Sequence, residues 1–425
     1  MTSTSSFYVW VYLPGQGEPV PAGILEMQQG VDGRTRSRFR YGNKYVERPE
    51  ALVLDPVDLD FRQQSEPQWF VPTNDKSLFG AFRDATPDSW GQRVIEARLG
   101  TRLQQPDWVY LEQAGNERVG ALAFTQSLEW VEPVKSQYAL TKLLKAAQAL
   151  DDDLPVDDDE RRMLDPGSSM GGARPKANVV DPDGKPSLAK FPRKDDKFSY
   201  AHAEHLALEI ARGAGMSVAD TKVVDVARRP VLLVKRFDRY PLKSGGAGRR
   251  MFVSALTLLN REEMESPKAS YKEIANAIRR YAAGVKVKED LLELYKRMVL
   301  NCLVCNTDDH LRNHGFVYQD GGWQLSPLYD VVPSAVRETA YLHLSIGEYG
   351  KIASLENCLT VAGEFGLTPA AASAAIDTVV QSWRRWPTMA KKIGMSTQDQ
   401  STLAECFEWG NRNVEWWRQR TKAGH

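Results

Sequence analysis

The chain has 425 residues, 42% hydrophobic and 26% charged, the balance of a globular protein with two or three core-forming units. Its 55 Lys and Arg equal its 55 Asp and Glu, so no overall basic field draws it to nucleic acid, and contact with DNA needs a local patch or a partner. No apolar run approaches the roughly 18–20 residues of a membrane span. The start, Met1-Thr-Ser-Thr-Ser-Ser, lacks a charged region ahead of an apolar core, so a cytoplasmic location is expected. Four cysteines (Cys302, Cys305, Cys358, Cys406) are too few for a disulfide frame in a chain of this size. Cys302-Leu-Val-Cys305 has C-x-x-C spacing, but it lies in an apolar helical stretch, reads as core, and has no second pair to complete a metal site.

Phe7-Tyr-Val-Trp-Val-Tyr-Leu13 is rich in β-branched and aromatic residues and reads as a strand, as do residues 23–27 and 37–41. A small sheet therefore opens the chain. Residues 78–99 read as helical with a break at Thr86-Pro87-Asp88, where Asp88 is placed to cap the helix that follows. Residues 138–150 carry helical apolar spacing, and the acidic run 151–160 is expected to be a solvated connector.

From Asp165 a Gly/Ser-rich turn leads into an apolar run ending at Lys190. An amphipathic helix near 203–214 and strands at 222–227 and 230–235 follow. After Arg236-Phe-Asp-Arg239 comes a basic, Gly-rich stretch through Arg250, expected to be a loop. The remainder is mostly helical: 271–283, 290–305, 355–365, 369–383 and 402–420. A β-rich part followed by a helical part implies an α+β, bilobal arrangement, and no solenoid repeat is present.

The densest polar cluster is Asn306-Thr-Asp-Asp-His-Leu-Arg-Asn313. A capped turn does not need two acids, a His and two Asn within eight residues. Protein-kinase catalytic loops place a proton-accepting Asp five residues before a Mg²⁺-holding Asn. Asp308 and Asn313 have this spacing, whereas Asp309 is one residue too close. A second metal acid should follow a short hairpin, because Mg²⁺ takes oxygen ligands from separate segments. Residues 316–318 and 323–326 supply the strands, and Leu328-Tyr-Asp330 supplies the acid. His310 and His314 beside two acids also raise a zinc site, but H-E-x-x-H is absent and no third ligand is marked.

Upstream, Gly167-Ser-Ser-Met-Gly-Gly-Ala-Arg-Pro-Lys176 is a candidate phosphate loop, since glycines let backbone N–H groups approach phosphate oxygens and a lysine adds charge. It is not a Walker A loop, because Gly172 is followed by Ala-Arg. Lys190 in Leu188-Ala-Lys-Phe-Pro192 has the character of a strand lysine reaching nucleotide phosphates, with Glu204 on the next helix as its candidate partner. Val231-Leu-Leu-Val-Lys-Arg-Phe237 would then lead into a hinge for adenine.

In this order, Ser169-x-x-Gly-x-x-x-Lys176, Lys190-Phe-Pro, Lys235-Arg-Phe-Asp-Arg239, Asn306-Thr-Asp-Asp-His-x-x-Asn313 and Tyr329-Asp330 resemble the HipA family of toxin kinases over the full length. Thr86-Pro-Asp-Ser89 resembles that family's N-terminal segment. The resemblance implies an α+β, bilobal protein-kinase-like fold. Its parts are an accessory β-rich subdomain at 1–135, an N-lobe with phosphate loop and hinge at 136–238, and a mostly helical C-lobe at 239–425. It implies an ATP- and Mg²⁺-dependent serine/threonine kinase with Asp308 as catalytic base and Asn313 and Asp330 on the metal. Nucleotide contacts are implied for Gly171, Gly172, Ala173, Arg174, Lys176, Lys190, Lys235, Arg236, Phe237 and His310.

The resemblance further implies silencing by autophosphorylation at Ser169, with the adjacent Ser168 as the other candidate. A small helix-turn-helix antitoxin, HipB-like, is the implied partner, and DNA is met mainly through it. A protein substrate follows, of which an aminoacyl-tRNA synthetase is one example in the family. A small-molecule kinase on a related fold and a non-enzymatic nucleotide-binding co-repressor module are the competing readings. Ser169 in the phosphate loop weighs against the former, and the intact Asp308/Asn313/Asp330 set against the latter.

Overall fold

The computed structural model describes residues 4–62, 64, 66, 68–131, 138–164, 172–336 and 338–422, with the backbone alone for Asp158 and Arg162. Two compact units divide the chain: Met1–Phe191 with Arg236–Glu262 and Phe316–Gly321, and Pro192–Lys235 with Glu263–Gly315 and Gly322–His425.

In the first unit, an antiparallel sheet orders its strands Thr35–Tyr41, Val20–Gln29, Thr4–Val11, Leu122–Thr125. Alternation sets its inner face: Phe7, Val9, Leu25, Met27, Phe39 and Tyr41 are buried, and Phe7 and Phe39 both lie opposite Leu25. Phe39 meets Tyr41, Phe79 and Phe82 edge-on, with ring centroids 4.8, 6.3 and 5.3 Å away, so the helix Gly80–Asp84 closes one side of this core. Asp84, fully buried, accepts from Ser254 N and Oγ and from Thr257 Oγ1 (2.7, 2.8 and 2.7 Å). That carboxylate brings the returning segment 236–262 into the unit.

Pro87 separates Gly80–Asp84 from the helix Ser89–Arg98, and Asp88 caps the latter by accepting from Gly91 N at 3.0 Å, as its position in sequence implies. Two stretches depart from the sequence expectation. The second half of the acidic run is a helix, Asp158–Met163, because Asp157 and Glu160 form a reciprocal capping box. The basic, Gly-rich stretch after Arg239 is a hairpin of Arg239–Pro241 with Ala247–Arg249, and Gly245 and Gly246 supply the positive φ of its turn (90° and 82°).

The second unit is mainly helical. Its central helix, Val287–Val304, is buried all round towards its end, where Met298, Val299, Leu300, Cys302, Leu303 and Val304 surround a single polar residue, Asn301. The helix Glu408–Lys422 crosses it at Gly410, where a Cβ would stand 2.2 Å from Leu303 O, so only glycine permits the approach. The helix Trp386–Lys392 lies in a stretch left unassigned by the sequence; its Pro387 occupies the first helical turn, where its missing N–H costs nothing. The strands Thr221–Val226 and Arg229–Lys235 form a hairpin whose turn, Ala227-Arg228, takes positive φ at both residues (51° and 63°). Among the described residues no helix is long and apolar enough to cross a membrane.

In the first unit Arg236-Phe-Asp-Arg239 is a buried clasp. Asp238 is wholly buried and pairs with Arg236 Nη2 at 2.8 Å and Arg239 Nη1 at 2.7 Å, while Gly120 N donates to it at 2.7 Å. The two guanidiniums donate onward to Arg118 O at 2.6 and 2.8 Å. The paired cations hold the Asp238 carboxyl far below its ordinary range despite the burial that opposes them. Asp238→Ala removes the anion from between two buried guanidiniums and is expected to cost about 3–5 kcal/mol. A denaturant titration checks this, and a loss below about 1 kcal/mol would mean that the clasp is not a stabilising element.

Candidate functional site

The central helix of the second unit ends at Cys305, which turns left-handed at φ 53° and releases the polar loop. Asn306 Nδ2 donates to Asn301 Oδ1 at 3.2 Å, Asn301 Nδ2 to Tyr271 Oη at 2.8 Å, and Tyr271 Oη to Asp309 Oδ2 at 2.6 Å. Asp309 Oδ1 accepts from the backbone N of His343 at 2.6 Å. Asp309 is therefore 1% exposed, and its carboxyl is committed to holding the loop and the 340s together. Burial outweighs these donors and pushes it up to about 7.

Its neighbour faces the other way. The Asp308 side chain is 76% exposed, and His310 Nε2 stands 3.9 Å from its Oδ1. Asn313 Nδ2 donates to the Asp308 carbonyl at 2.9 Å, so the five-residue spacing noted in sequence closes on itself. Lost hydration raises the Asp308 pKa, His310 pulls it down, and the negative charge of Asp330 raises it. Asp308, His310, Asn313 and Asp330 thus share one neighbourhood.

Asp330 itself is left-handed, φ 56°, a conformation an aspartate holds at a cost and only where its surroundings impose it. Leu328 N donates to Ser217 O (2.8 Å), Ala219 N to Leu328 O (2.9 Å), and Tyr329 Oη to Arg312 O (2.6 Å), fixing the residues just before it. Arg297, buried, donates to Ser326 O at 2.8 Å and pairs with Glu293 at 2.9 Å, bracing the same segment from the central helix. His314 is buried against Tyr271, ring centroids 5.4 Å apart, and burial pushes its imidazole down to about 3, which keeps it neutral. Cys302 and Cys305 are fully buried. Lys235 ends its strand with Nζ 3.6 Å from Asp220 Oδ2, and Glu204 is buried on the helix Tyr200–Gly213.

The remaining candidates belong to the first unit. Gly171, Ser168 and Ser169 lie outside the described residues. Gly172 and Ala173 are exposed and Arg174 half-buried. Lys176 is 1% exposed, its ammonium held by Asp88 Oδ2 at 2.6 Å and by the Gly172 carbonyl. Lys190, half-buried, lies directly opposite Lys176 in the antiparallel pair Lys176–Val180 with Pro186–Lys190. The Arg236 side chain is spent on Glu117, Arg118, Asn178 and Asp238, and Phe237 is half-buried with its ring 6.3 Å from that of Phe252.

With this geometry in view, comparison with known proteins is decisive: the HipA-like C-terminal domain matches residues 168–386, just over half the chain. The chain belongs to the HipA family. The HipA N-terminal domain matches residues 16–125. A Sinorhizobium fredii (strain NBRC 101917 / NGR234) relative named "Putative kinase Y4mE" is 26% identical over 343 residues, 71% of this chain and 75% of its own. The HipA fold is also matched in a solved structure of a Shewanella oneidensis MR-1 toxin–antitoxin complex of HipA, HipB and operator DNA. The TM-score is 0.68 at 16% identity, covering 97% of this chain and 99% of that one. The α+β, kinase-like fold expected from the motif order is the fold of this HipA-family chain.

Tyr271, Asn301 and His343 carry the loop, and the sequence does not single them out. Tyr271 follows a capping box (Ser270 with Glu273), which announces a helix start and nothing about the loop. The Asp309 network makes a pH prediction. A carboxyl whose pKa rises from the ordinary 3.8 to about 7 on folding favours the folded state below about pH 4, and loses that contribution as pH rises towards 7. Asp309→Asn has no such proton to lose. Wild type minus variant melting temperature should therefore fall steadily between pH 5 and pH 7.5 (roughly the window of the shift), and a flat difference would mean that Asp309 is ionised throughout.

Proposed function

We propose that this HipA-family chain is an ATP- and Mg²⁺-dependent protein serine/threonine kinase, the toxin of a toxin–antitoxin pair. The observation that carries this reading is the division of labour between adjacent carboxylates. Asp309 is buried as an anchor, while Asp308 is exposed, close to Asp330 in charge, and clasped through its carbonyl by Asn313. In phosphoryl transfer the protein's work is positioning and charge stabilisation. Asp308 accepts the proton of the attacking hydroxyl, and its exposed carboxylate is open to one.

The donor set fits Mg²⁺. Asn313 has its amide nitrogen committed to Asp308, which leaves the hard Oδ1 for a cation, and Asp330 offers a carboxylate. When bound, the ion neutralises charge on the phosphates. Asn313 and Asp330 would hold it, and the phosphates themselves supply further oxygens. Nucleotide contacts are proposed for Gly171, Gly172, Ala173, Arg174, Lys176, Lys190, Lys235, Arg236, Phe237 and His310. The fully engaged Arg236 side chain favours its main chain for that role. The divisions 1–135, 136–238 and 239–425 are proposed as accessory subdomain, N-lobe and C-lobe.

A HipB-like antitoxin that carries the pair to operator DNA is the proposed partner, supported by the company the Shewanella HipA keeps in its complex. The proposed substrate is a protein, an aminoacyl-tRNA synthetase being the first to try, and the proposed compartment is the cytoplasm. Phosphorylation of Ser169 would place about −1.5 to −2 charges in the phosphate loop and repel the nucleotide.

Two measurements test this reading. ATP at a hundredfold excess over its dissociation constant should stabilise the protein by about 2.7 kcal/mol with Mg²⁺ and by less in EDTA. Peptide mass mapping after Mg-ATP should find one phosphoryl group on Ser169. No ATP effect in either buffer removes the nucleotide assignment; phosphate on Ser168 alone moves the modified site.

A further inference from the structure

Lys176 is gripped at two points by one helix start. The ammonium meets Asp88, the N-cap of Ser89–Arg98, at 2.6 Å, and the Lys176 carbonyl accepts from Trp90 Nε1 at 2.8 Å. The Lys176 and Asp88 side chains are 1% and 7% exposed, and Trp90 is wholly buried. The same ammonium binds the carbonyl of Gly172, four residues back at the end of the glycine loop. A lysine in this position, directly across from Lys190, would meet a like charge without a counter-ion. Asp88 provides one. Asp88 and Trp90 lie in the part matched by the HipA N-terminal domain, and Lys176 in the part matched by the C-terminal domain.

We propose that Asp88 is a positioning residue for the nucleotide site: by pairing with Lys176 it fixes the Gly172 carbonyl and so holds the segment 172–176 in place for the nucleotide. The N-terminal domain then supplies part of the nucleotide machinery. This rests on the kinase reading above. Asp88 touches no substrate in this account; it acts through Lys176. A buried ion pair with ammonium hydrogen bonds to both a carboxylate and a loop carbonyl has the geometry to do so, because removing the anion strands the cation and frees it from its site.

The test uses the full chain and Mg-ATP. Asp88→Asn keeps a good N-cap, so the helix is retained while the ion pair is lost. Trp90→Phe keeps an aromatic side chain and removes the N–H that Lys176 O accepts; it should raise the ATP KM in the same direction and carries the test where Asp88→Asn does not fold. The control is Asp58→Asn, which breaks another buried pair of the same unit, Asp58 with Lys76 at 2.6 Å. Asp88→Asn should raise the ATP dissociation constant and KM about tenfold or more, with kcat at saturating ATP nearly kept. Asp58→Asn should lower the melting temperature and leave ATP affinity unchanged. Unchanged affinity in folded Asp88→Asn, or an equal loss in Asp58→Asn, overturns the positioning role alone. Wild type that binds no ATP overturns it together with the kinase reading.

Discussion

The hydrogen bond from Tyr271 to Asp309 is the constraint on which the site depends. A carboxyl sealed from water must be held by donors, and here a tyrosine hydroxyl and a backbone N–H reach it from different segments of the second unit. With Asp309 fixed inward, its neighbour Asp308, in the turn at 307–308, is presented to solvent. The loop could not expose one acid so reliably without burying the other. Asn301 and Asn306 extend the anchor into the end of the central helix, so the loop inherits the rigidity of the most buried element of its unit.

Buried ion pairs recur as the means by which distant segments of the first unit are joined. Asp238 between Arg236 and Arg239 holds the stretch at 118–120, and Asp88 with Lys176 joins a helix start to a strand start. Such pairs add little net stability against an apolar alternative, but they are intolerant of losing one member. That intolerance makes them suited to fixing register and position. It also accounts for motif residues that look ligand-facing in sequence and lie inside the protein in the structure.

The fold was legible where local chemistry decides. The alternation in 37–41 marks a strand with Phe39 and Tyr41 inward, and Asp88 announces its cap. The five-residue spacing of Asp308 and Asn313 is legible in the sequence, and in the structure Asn313 Nδ2 donates to the Asp308 carbonyl. What was not legible depends on partners far along the chain. Lys176 meets a residue 88 positions away, and Arg236 one 119 positions away, so nothing near either residue reveals which way its charge points. Tyr271 and His343 are ordinary in their local context and become part of the site only when the chain brings Asp309 to them.

The measurement closest to the heart of this account is phosphoryl transfer from radiolabelled ATP to protein by Asp308→Asn and Asp309→Asn, each compared with wild type near neutral pH. Asn at 308 keeps the shape and cannot accept the hydroxyl proton, so transfer should fall by roughly 10²–10⁴-fold while ATP still binds. Asn at 309 still offers an oxygen to the His343 N–H, and the variant should show much less loss in transfer. If Asp309→Asn is the dead enzyme and Asp308→Asn retains activity, the roles assigned to these two carboxylates are contradicted.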